Sequence, residues 1–131
     1  MKIKIDFVTN SSSVSFCMWG LLTSIHELPD DVMKNIYSYY WNNTNDDKRL
    51  TYDEFKTKGA VIHYFEEMCY QNGIEYFTPP YYGVYYLGRE LSAMKNDETL
   101  QEFKKSTDDV LKSLGFDISD VEILEGGWYN G

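Results

Sequence analysis

A chain of 131 residues, 43% hydrophobic and 25% charged, is long enough to bury its own core, so it needs neither a metal nor a disulfide framework to fold. Its formal net charge of −9 disfavours direct nucleic-acid binding, because phosphate contacts need clustered Lys and Arg. No apolar run approaches the roughly 18 residues of a membrane span, and no signal-like stretch follows the lysines of "MKIKIDFV"; the expectation is one cytoplasmic domain over 1–131, away from the membrane.

In chain order, Ile3, Ile5 and Phe7 alternate with Lys2, Lys4 and Asp6, the period of a half-buried strand. The polar run Thr9, Asn10, Ser11, Ser12 and Ser13 reads as a hairpin turn, since Asn and Ser side chains can satisfy turn backbone. Residues 14–22 form a second strand, with Ser15, Cys17 and Trp19 on one face and Val14, Phe16 and Met18 on the other. "LPDDVMKNIYSYYW" reads as a helix: Pro29 suits its first turn, and Asp30 and Asp31 suit the positive end of its dipole. Val32, Ile36 and either Tyr39 or Tyr40 make its inward stripe.

After the polar loop 42–49, Thr51 and Glu54 form a capping box. It opens a helix expected to run to Gly73, with Phe55, Ile62, Phe65 and Met68 or Cys69 inward. "IEYF" is a short strand, Pro79 and Pro80 break it, and "YYGVYYLG" resumes as a Tyr-rich strand. Asn96 or Asp97 caps the helix "ETLQEFKKSTDDVLKSLG", where Leu100, Phe103, Thr107, Val110, Leu111 and Leu114 share one face. Residues 121–124 make the last strand, followed by "EGGWYNG". The order ββααββαβ predicts an α+β fold, a largely antiparallel sheet of about five strands with about three helices on one face.

No catalytic constellation stands out. The serine run offers an anion nest at best, for it holds no glycine and a strand follows it where a phosphate loop needs a helix. Only His26 and His63 are available as bases, and neither lies near the serines. His63 with Glu66 and Glu67 at helical spacing reads as a carboxylate-paired histidine, because a metal site needs more ligands. Asp30 with Asp31 and Asp46 with Asp47 read as solvated or dipole-favoured acids, and "NTNDDKRLTYDE" lacks the central glycine of a calcium loop. Cys17 and Cys69 are too few for a disulfide framework and read as reduced thiols. The reading is a protein that is not an enzyme and takes no cofactor and no metal.

Three segments taken together resemble a group of small uncharacterised bacterial and phage proteins. They are the "FVTNSSS" start (Phe7, Thr9, Asn10, Ser11 to Ser13), the internal "DET" followed by "FK" (Asp97, Glu98, Thr99, Phe103, Lys104), and the "GGWY" near the end (Gly126 to Tyr129). Val14 interrupts the longer serine run of that group. The resemblance implies a bacterial, phage or prophage provenance and no particular chemistry.

Charge and aromatics point to a binding role. From Asp97 onward nine acids face three lysines, a net of −6, while the first 96 residues carry 12 acids against nine bases, a net of −3. An acidic surface suits a basic protein partner. Aromatics reach 17%, with 12 tyrosines, and a strand with Tyr on both faces cannot bury them all in one small core. The expected partner-binding residues are therefore Tyr81, Tyr82, Tyr85 and Tyr86 as anchors, with Asp97, Glu98, Glu102, Asp108 and Asp109 as charges. Further along, Asp117, Asp120, Glu122 and Glu125 extend the acidic set. Trp128 either folds into the core or anchors a partner or a second copy, so a homodimer is the other arrangement the tail allows. The function expected is an acidic protein-binding accessory, in its sharpest form an antagonist of a host nucleic-acid-binding defence complex of anti-CRISPR or anti-restriction type. The alternative is a small-ligand or nucleotide-binding domain.

Overall fold

The computed structural model describes residues 6–8, 11–79 and 83–129, with side chains for 16–79 and 83–126. Five strands and four helices among the described residues follow the order ββαααββαβ. The class is α+β, with one helix more than the sequence pattern predicts.

All strand pairs are antiparallel, and the 14-residue β2 (Ser11–Ser24) organises the sheet. Along one edge it pairs with β5 (Glu122–Tyr129), from Ser13↔Tyr129 to Gly20↔Glu122. Its other edge takes β1 (Asp6–Val8) at Ser11 to Ser13 and β4 (Val84–Glu90) at Met18 to Ser24. Outside β4 lies β3 (Glu75–Phe77), so β3 and β5 sit at opposite sides of the sheet. The serines expected in a turn are strand residues: Ser11, Ser12 and Ser13 pair with Val8, Phe7 and Asp6. The ladder supplies their backbone partners, which leaves only residues 9 and 10 between the strands, outside the described set with residues 1–5.

The helix expected over 51–72 is two. The capping box at Thr51 and Glu54 opens α2 (Tyr52–Thr57), and Gly59, at φ +73°, breaks it before α3 (Val61–Gln71). The break resets the helical phase, so Val61 turns inward and Ile62 is left 40% exposed. In α1 (Asp30–Asn42) the stripe is Val32, Ile36 and Tyr40. A second capping box, Thr99 with Glu102, opens α4 (Leu100–Ser113), which buries Phe103, Thr107 and Leu111. Leu100, its first residue, stays in solvent.

The main core lies on the helix-bearing face of the sheet. Leu21, Tyr85 and Leu87 pack there against Val32, Ile36, Tyr40, Phe55, Phe65, Met68 and Leu111. The opposite face carries a small second core of Phe16, Met18 and Phe77, with Tyr86 and Leu124 against it. That core requires a curled sheet. Tyr86 pairs with Leu22, six residues along β2 from Phe16, a span of roughly 20 Å in a straight strand. The Phe16 and Tyr86 rings nevertheless lie 4.9 Å apart, and Phe16 stacks on Phe77 at 4.7 Å. Between Phe16 and Leu22 on β2 lies Gly20, which faces Gly88, and there the two backbones come close. A Cβ on Gly20 would sit 1.9 Å from the Leu87 carbonyl oxygen, and one on Gly88 would sit 2.1 Å from that of Trp19. Only glycines permit such an approach.

Candidate functional site

The two described tyrosines of the ribbon do not share one surface. Tyr81 and Tyr82 lie outside the described residues. Tyr85 is only 4% exposed and points into the main core. Tyr86 points the other way, half-buried against Phe16. Alternation along β4 thus sends the two described tyrosines to opposite faces: Tyr85 is buried in the main core and is not the exposed anchor expected, while Tyr86 keeps part of its surface in solvent. Trp128 belongs to β5 by its backbone, paired with Val14, and its side chain lies outside the described residues.

The acids expected to act as a charged helix are largely engaged in local structure. Asp97 is exposed. Glu98 accepts from the Lys95 backbone N–H at 3.1 Å. Glu102 accepts from the Thr99 backbone N–H at 2.8 Å, and that pair of bonds to Thr99 holds its carboxyl below the usual range. Asp108 accepts from Trp19 Nε1 at 2.7 Å, while Lys104 sits over the Trp19 ring at 4.5 Å. Asp109 pairs with Lys105 at 3.1 Å. Within α4, Glu102, Asp108 and Asp109 are matched by Lys104, Lys105 and Lys112, so the helix has no net charge.

The uncompensated acidity begins after that helix. Asp117, Asp120, Glu122 and Glu125 are exposed, and no Lys or Arg occurs from residue 113 to the end. Asp117 caps a 3₁₀ turn through the Ser119 N–H at 2.9 Å, a bond that lowers its pKa. Glu122 and Glu125 flank Ile123, 39% exposed, and Leu124 on β5. Among the described residues β5 pairs with β2 alone, so its outer backbone edge is open. Glu125 also receives the Cys17 thiol at 3.8 Å.

A second group gathers at the far side of the sheet. The Tyr85 hydroxyl donates to Glu66 Oε2 at 2.6 Å, and burial, with that bond, lifts the phenol far above its ordinary pKa. The Tyr76 phenol faces the same carboxylate; burial first and then the Glu66 charge raise it. Beneath them Cys69 is fully buried, its thiol pushed up to about 12 by burial. His63 pairs with Glu67 at 2.8 Å in the open, so of the two glutamates following His63 only the second is its partner. Glu66 was visible in the sequence only as a neighbour of His63; its place between the buried Phe65 and Cys69 was the signal that it faces the sheet.

No protein-family model, no curated protein and no solved structure matches the chain. No helix among the described residues is long and apolar enough to cross a membrane, and no cluster there could hold a metal ion.

Proposed function

We propose that the protein is a binding module for a basic protein partner, and that the partner docks along the β5 edge. The observation that carries this reading is the coincidence, on β5 and the turn before it, of an open backbone edge and acids that form no ion pair among the described residues. An extended segment can add to such an edge through main-chain hydrogen bonds. Asp117, Asp120, Glu122 and Glu125 then favour a Lys- or Arg-rich segment, steering its approach over distances comparable to the Debye length. Pairing with a second copy is disfavoured at this edge, since it brings Glu122 and Glu125 of both chains together. A groove built for phosphate is one basic surface of this kind, and antagonism of a host nucleic-acid-binding complex is the sharpest form of the proposal. The resemblance to phage and bacterial proteins supports that provenance. Capture from a bacterial lysate on the tagged protein, eluted in salt steps, tests the reading: a basic protein released at moderate salt is the expected result. Capture unaffected by neutralising the four acids overturns it.

A further inference from the structure

We infer that the shallow cleft between α3 and β3 binds a guanidinium group. The cleft, about 340 Å³, is lined by His63, Glu66, Glu67, Tyr70, Gln71 and Tyr76. It thus holds two carboxylates and two phenol rings but no lysine or arginine. Glu66 forms no ion pair with any described residue, yet the Tyr85 hydroxyl holds its carboxylate in place from below at 2.6 Å. A charge fixed by a buried donor is preorganised for an incoming cation.

The aromatic rings carry the second half of the argument. Elsewhere three exposed or half-buried rings carry a cation of the chain's own: Arg49 over Trp41, Lys56 over Tyr52 and Lys104 over Trp19, at 4.4 to 4.6 Å. Tyr70 is 54% exposed, the second most exposed large hydrophobic residue described, and no described cation covers it. A planar guanidinium satisfies both features at once, stacking on a phenol while its N–H fork meets a carboxylate; an ammonium makes only the point contact. The cleft flanks β3, at the opposite side of the sheet from β5, so this site does not rest on the β5 reading.

The test is a titration of the ¹⁵N-labelled chain with N-acetyl-arginine amide, followed by amide chemical shifts, with the neutral citrulline analogue as control. Saturable shifts at Glu66, Glu67, Tyr70 and Tyr76, absent with the citrulline compound, are expected. Glu66→Gln keeps an acceptor for Tyr85, so the fold survives, and should weaken binding about tenfold or more. Tyr70→Ala, on a ring in solvent, should weaken it about threefold. Agmatine in a parallel titration separates the sources: tighter binding of the capped arginine assigns the site to a protein side chain, and the reverse assigns it to a small guanidino compound. Equal shifts with the citrulline compound, shifts confined to β5, or undiminished binding by Glu66→Gln would overturn the inference.

Discussion

Trp19 Nε1 donates to Asp108 Oδ1 at 2.7 Å, tying α4 to the central strand of the sheet across 89 residues of sequence. Lys104 lies over the same indole, so one acid and one base of α4 are spent on a single ring. Asp108 is therefore a residue of the fold and not a free surface charge. Asp108→Ala should cost about 1.5–3 kcal/mol, the value of a hydrogen bond to a charged group, measured by urea unfolding. Trp19 emission should shift red in the folded variant as its N–H turns to water. A loss within 0.5 kcal/mol, roughly that of an ordinary surface substitution, would contradict the role.

The curl of the sheet makes a sharper contrast. Gly20→Ala or Gly88→Ala puts a methyl group inside contact distance of backbone that has nowhere to go. Either should cost roughly 3 kcal/mol or more, or prevent folding. Gly73, at φ +73° with open space around it, is the control. Gly73→Ala should cost only about 1–2 kcal/mol, the penalty of a left-handed residue. Thermal unfolding of the three variants side by side gives the comparison, and equal losses would remove the curl from the account.

Both thiols are held protonated. Burial raises Cys69 to about 12, and burial, then the Glu125 charge, raises Cys17 above its ordinary value. Iodoacetamide at pH 8 should label the folded protein slowly and take up two equivalents once urea unfolds it. The same shifts set the alkaline limit of stability. A group whose pKa is raised on folding contributes fully below its unfolded value and loses that contribution as pH rises toward the folded one. With Cys17 and Cys69 raised from 9.0, and Tyr76 and Tyr85 from 10.0, stability should fall above about pH 9. Glu54, Glu102 and Asp117, lowered by their capping bonds, act in the opposite sense: their contribution is present above their unfolded values and fades in acid. A urea-midpoint profile flat from pH 9 to 11 would contradict the alkaline part.

Local signals carried most of the fold. The capping box at Thr51 and Glu54 is present as the pattern predicts, whereas α4 is capped by Thr99 with Glu102 and not by the expected Asn96 or Asp97, which lie two or three residues too early. The stripe of α1 is buried as its 3.6 period predicts; that of α4 is buried at Phe103, Thr107, Leu111 and Leu114, with Val110 half-buried and Leu100 in solvent. What local pattern could not carry was phase and partner. The pattern from Thr51 to Gly73 does not mark Gly59 as a break, yet its positive φ turns Ile62 outward. The serines joined a strand because β1 offers them a ladder, an interaction between segments that propensity does not encode. Tyr on both faces of β4 predicts that one small core cannot bury them all; the structure buries Tyr85 in the main core and leaves Tyr86 half-buried against a second, which the sequence pattern does not announce. The neutrality of α4 was legible from Lys104, Lys105 and Lys112, whereas the Trp19 bond to Asp108 was not.

The acids of the two regions should separate in function. Glu102→Gln with Asp109→Asn alters α4, where caps and lysines already absorb the charge, and partner capture should persist within about twofold. The variant should lose a little stability through the weakened cap without losing its partner.

The most direct measurement compares three tagged proteins in one bacterial lysate, eluted in salt steps: the wild type, the α4 double variant, and Asp117→Asn/Asp120→Asn/Glu122→Gln/Glu125→Gln. The account predicts a basic protein captured by the first two, released at moderate salt, and absent from the third. Retention of that protein by the quadruple variant, or no basic protein captured by the wild type, would contradict it.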